Sequence, residues 1–148
     1  MPRLATTAAG AVLLLLTAAA CSDSNDGPAA EVVDACNQYN NVVNQWAIDY
    51  GAEIGAVEAA VAAGDEDRRE TSVQVVRELF TKTADSLRAH ADNTSNQELA
   101  DAMADAADGL VEIGSQIETY EDVTNAPEMM RSGQFAESGE RVSAICAG

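Results

Sequence analysis

The sequence predicts an all-α fold for residues 31–148, an antiparallel up-down-up-down four-helix bundle closed by one disulfide. Three observations lead there. Apolar residues recur at steps of three and four in four successive segments. No window shows the sustained alternation and hairpin turn pairs that announce a sheet. Cys36 and Cys146 fall at the start of the first segment and the end of the last, which this topology brings to one end of the bundle.

The first helix starts near Glu31 and carries Val32, Cys36, Tyr39, Val43, Trp46, Tyr50, Ile54, Val57 and Val61 on one face, with a turn at Gly64-Asp65. The second runs from about Arg68 to Ala91 with Val73, Val76, Phe80, Thr83 and Leu87 inward. Asp92 to Asn96 is a polar loop, and Ser95 with Glu98 has the spacing of a capping box for the third helix. There Leu99, Met103, Ala106, Leu110, Ile113, Ile117 and Tyr120 form a seam expected to end near Asp122. Asn125 as cap and Pro127 in the first turn predict the start of the fourth helix. It should bend at Ser132-Gly133 and present Phe135, Gly139, Val142 and Cys146 inward.

Ahead of the bundle, Arg3 leads into an apolar run, Leu13 to Leu16, that is too short for a comfortable membrane span. Ala18-Ala19-Ala20 then stand directly before Cys21. This segment resembles the signal sequence of bacterial lipoproteins, whose lipobox ends in a small residue followed by the cysteine that is acylated and becomes the new N-terminus. It departs from that pattern at Ala18, where leucine is usual. An ordinary secretory peptidase would cut at the same bond and leave Cys21 free. Cysteine parity favours the lipid: three cysteines in an exported chain leave one over once Cys36 and Cys146 pair, and a lipid accounts for it. The resemblance implies a cell-membrane lipoprotein on the extracytoplasmic face, with the diacyl and amide-linked chains, palmitate among them, holding Cys21. Residues 1–20 are then a removed signal peptide, and 21–30, rich in Asp, Asn, Gly and Pro, a flexible tether.

Losing Arg3 with the leader takes the formal charge from −17 to −18. Such a surface repels nucleic acid and anionic headgroups and keeps the domain soluble. The parts of an enzyme are missing. One histidine, no glycine-rich phosphate loop and no G-x-S-x-G leave no catalytic constellation, no metal site and no cofactor to expect. His90 falls in the last turn of the second helix, where an imidazolium complements the helix dipole. Asp101, Asp105, Asp108 and Glu112 lie opposite the third seam, splayed along a solvated face, and Asp65-Glu66-Asp67 lacks EF-hand spacing.

The unusual segment is Asn37 to Trp46, in which six of ten residues are uncharged amides within an otherwise acidic chain. Asn37, Asn40, Asn41, Asn44 and Gln45 fall outside the buried seam and form a candidate binding face suited to an envelope protein or a glycan. The expectation is a membrane-anchored, non-catalytic binding or adaptor module of the cell envelope. The competing expectation is a small-molecule or ion carrier with a cavity lined by Trp46, Tyr50, Phe80, Met103 and Tyr120.

Overall fold

The computed structural model describes residues 29–148; the leader, Cys21 and the spacer up to Pro28 lie outside the described residues. All regular structure described is helical: α1 (Ala30–Ala62), α2 (Arg68–Ala91), α3 (Gln97–Gln116), α4 (Tyr120–Met129) and α5 (Gly133–Ala147). The first two follow the apolar period. Val32, Cys36, Tyr39, Trp46 and Val57 of α1 are buried, as are Val73, Val76, Phe80, Thr83 and Leu87 of α2. Gly64 closes α1 with φ +93°, a left-handed conformation that glycine adopts without steric penalty.

Later boundaries depart from expectation, each for a local reason. The α3 cap is Asn96, not Ser95: its side chain accepts from the Leu99 N–H at 2.9 Å, while the Ser95 hydroxyl donates to Glu31. The third helix stops at Gln116, and Ile117 continues the apolar spacing in extended backbone while remaining fully buried. What ends the helical run is a capping box at Thr119. Asp122 Oδ2 accepts from the Thr119 N–H at 2.8 Å, and Thr119 Oγ1 accepts from the Asp122 N–H at 3.3 Å. The Thr119 hydroxyl, which donates to Asp122 Oδ2 at 2.8 Å, and then the N–H groups of Thr119 and Glu118 hold the Asp122 carboxyl below its ordinary pKa.

Asn125 is therefore no cap; it and Pro127 lie within α4. A proline at 127 has no N–H to offer the carbonyl of Val123 four residues back. The Tyr50 hydroxyl donates to that carbonyl at 2.8 Å instead, tying α1 to α4. The expected bend at Ser132-Gly133 is a full break, with Gly133 at φ +69° opening α5.

Packing runs chiefly α1 on α2, α2 on α3 and α3 on α5, with α4 wedged against α2 and α3. One core joins them, centred on Val76, Phe80, Leu87, Leu99, Met103, Leu110 and Ile117, all fully buried. Cys36 and Cys146 stand at disulfide distance, their Cα atoms 5.9 Å apart. Nearby, Tyr39 reaches across to α5, where a Cβ on Gly139 would lie 3.1 Å from the Tyr39 hydroxyl.

Gly109 sets how closely α3 and α5 approach. A Cβ there would sit 2.5 Å from the Phe135 nitrogen and 2.9 Å from its Cα, a clash with backbone that no rotamer relieves. Gly51 on α1 has nothing within 4 Å of the same position. Gly109→Ala should therefore lose about 2–3 kcal/mol through overpacking, whereas Gly51→Ala should gain about 0.5–1 kcal/mol from helix propensity. Urea midpoints that moved in the same direction for both would refute this close approach.

Candidate functional site

A groove of about 450 Å³ lies between helices α1 and α2. From α1 come Gln38, Asn41, Val42, Gln45, Trp46 and Asp49, which a 3.6-residue period puts along one flank. From α2 come Leu79, Lys82, Thr83, Ser86 and His90. Val42, Trp46 and Leu79 are buried or half-buried beneath a rim of amides and hydroxyls. The size is that of a site for a small ligand or a short peptide stretch.

Trp46 anchors the floor. Its ring stacks on Tyr50 at 5.1 Å and 12° and tilts against Phe80 at 5.3 Å, leaving the residue 6% exposed. An aromatic face so enclosed is closed to the stacking that saccharide rings seek. The indole N–H, itself buried, finds no acceptor among the described residues, an unusual condition for a buried donor. Thr83 is satisfied internally, donating to the Leu79 carbonyl at 2.8 Å.

The rim is close to neutral in a strongly acidic chain. Gln45 donates to Asp49 at 2.8 Å across one helical turn. Lys82, the chain's single lysine, and His90 form no ion pair among the described residues. Most arginines behave otherwise: Arg88 meets Asp108 and Arg141 meets Asp105, at 2.7 and 2.6 Å. Compared with family models, with curated proteins and with solved structures, the chain matches none.

The five residues of the expected binding face are all exposed. Asn41 and Gln45 line the groove, while Asn37, Asn40 and Asn44 lie outside it. Sequence reasoning missed the α2 wall. Lys82 as the one lysine was a signal in hand, but only the α1/α2 register places it opposite the amides. Of the residues considered for an internal cavity, Phe80 and Met103 are fully buried in the packed core and only Trp46 reaches the groove.

Elsewhere the acidic row of α3 is engaged laterally, with Asp101 accepting from Gln97 at 2.7 Å beside the two arginine pairs. Among the described residues no three metal-ligating side chains converge, and no helix is long and apolar enough to cross a membrane. A second polar cluster joins α1 to the start of α2, where Arg68 meets Glu53 at 2.7 Å with both side chains largely buried. The bond to Glu53 raises the Arg68 pKa further and fixes its charge.

Proposed function

We propose that this chain is a membrane-anchored extracytoplasmic lipoprotein whose helical domain is a non-catalytic binding or adaptor module, meeting an envelope partner at the α1/α2 groove. The observation that carries the binding role is the groove itself, with an amide and hydroxyl rim, an apolar floor and a buried indole N–H that has no acceptor among the described residues. Because the Trp46 face is occupied by Tyr50, a protein segment with backbone amides suits the groove better than a glycan. The anchor rests on the lipobox resemblance ending at Cys21.

The scaffold of this proposal is an up-down-up-down bundle in which α4 and α5 together take the fourth position. Its support is that α1/α2 and α2/α3 pack extensively although only short connections join them, which favours antiparallel neighbours.

A carrier of small anions is the second reading, favoured by Lys82 and His90 at the groove and their lack of ion-pair partners. The two roles separate in the cell. A photoreactive side chain replacing Gln45 should cross-link to an envelope protein, while one replacing Glu112, on an exposed face of α3 away from the groove, should not. Equal labelling from both positions, or none from either, would overturn the adaptor. A small-molecule adduct in the native mass spectrum of the extracted protein would favour the carrier. The same spectrum tests the anchor: residues 21–148 with acyl chains support it, and an unmodified Cys21 refutes it.

A further inference from the structure

The α1/α2 groove holds two basic side chains that no carboxylate among the described residues neutralises. Five arginines meet carboxylates at 2.5–3.4 Å, whereas Lys82 and His90 meet none and both line the groove. Arg77, also without an ion pair among the described residues, lines a separate crevice between α2 and α3. The sequence has 25 acidic residues, yet the α1 wall beside the two basic groups is built from Gln38, Asn41 and Gln45. An aspartate at any of these positions would offer them an internal partner. Asp49 is the one carboxylate lining the groove, and it accepts from Gln45 at 2.8 Å.

The width of the groove limits what lies in it. Its 450 Å³, spread over the about 16 Å of helix from Gln38 to Asp49, corresponds to a cross-section of about 27 Å². A helix, about 10 Å across, does not enter so narrow a channel, whereas one edge of a single extended chain does. Lys82, Ser86 and His90 stand at steps of four on α2, about 6 Å of rise apart and about 12 Å from first to last. Side chains on one side of an extended chain recur every second residue, at about 6.6 Å, so residues i and i+4 lie about 13 Å apart.

We infer that the groove takes an extended acidic segment of the envelope partner, with carboxylates at i and i+4 meeting Lys82 and His90, which presupposes the adaptor role proposed above. Lys82 meets one carboxylate by charge, the His90 imidazole donates a ring N–H to the other, and Ser86 receives a small polar side chain between them. Each amide of the α1 wall carries a donor and an acceptor, which suits the peptide N–H and C=O groups of the segment. Main-chain bonds then contribute affinity, and the carboxylate spacing contributes selectivity. The net −17 of the chain does not forbid an acidic partner. At physiological salt, exposed charges beyond about 8 Å are largely screened, so the groups inside the groove set the preference.

An array of immobilised nonapeptides, probed with the full chain in mild detergent at physiological salt, tests this. Each peptide carries two glutamates three, four or five residues apart, or glutamines in their place, in varied neutral backgrounds with a proline between them to exclude a helix. A spacing of four should be retained over the other spacings and over glutamine by about fivefold, the upper value of one exposed ion pair. Lys82→Gln should remove that preference without harming the fold, since Lys82 is exposed and has no ion pair among the described residues. Ile48→Ala, at a position 64% exposed on α1 and outside the groove, should keep it. Equal retention at all spacings, a preference that survives Lys82→Gln, or displacement of the peptide by an equal concentration of glutarate, as at a small-anion site, would each overturn the inference. If one of these results appears while a photoreactive group at position 45 still captures an envelope protein, the adaptor role stands and the acidic segment alone falls. If the capture fails as well, both fall.

Discussion

Replacing Cys36 and Cys146 by serine should lower stability more than any other change considered in this chain. The bond would close a loop with a sequence separation of 110. For such a loop the chain-entropy model gives about 5 kcal/mol, by restricting the unfolded ensemble. Domains of this size commonly hold only about 5–15 kcal/mol in total. The expected fall in Tm is roughly 15 °C in a reversible melt, and reductant should reproduce it in the wild-type chain while leaving the serine variant unmoved. The effect is local in origin and global in reach, because α1 and α5 otherwise meet over a short stretch. A shift of under about 3 °C would mean that the native fold does not depend on the bond.

The second large effect belongs to Phe80, which is fully buried where α2 faces both the groove floor and α3. Its ring lies 5.3 Å from that of Trp46, and its Cβ occupies the space that Gly114 keeps open, 2.9 Å from where a side chain there would start. Phe80→Ala should cost about 4 kcal/mol, the transfer free energy of the ring plus the cavity it leaves. The single tryptophan supplies an independent readout, since its emission should shift to the red as water enters beside the indole. Ile48→Ala, on the exposed face, should stay within about 0.5 kcal/mol of wild type. A loss at Phe80 below about 1 kcal/mol would show that the site collapses freely and that the Trp46 floor is not rigid.

The limits of sequence reading follow from what periodicity measures. Helices α1 and α2 were legible because their burial pattern and backbone stay in phase from end to end. Between α3 and α4 the two part company: Ile113, Ile117 and Tyr120 keep apolar spacing through a stretch where the backbone is extended. The Thr119-x-x-Asp122 signature was in the sequence, but the seam masked it. Pro127 was legible as a helix-end residue and assigned to the wrong end, because the partner that spares α4 its missing N–H is Tyr50, some seventy residues earlier. The groove was half legible. Its amide wall is a compositional anomaly visible in one dimension, whereas the opposing Lys82, Ser86 and His90 enter only through the relative register of two helices, which no single-helix pattern encodes.

The position of Cys36, a few residues into the first helix, has a mechanical side. A pull applied between the two ends of the domain runs along the first turns of α1, crosses at Cys36 and Cys146, and leaves by the last residues of α5. Everything between the two cysteines lies off that load path. Stretching can fray a turn or two of helix, but it cannot extend the groove or separate the core helices while the cross-link holds. A domain built this way keeps its shape under tension along its termini, and a change of redox state, not force, is what would let it open.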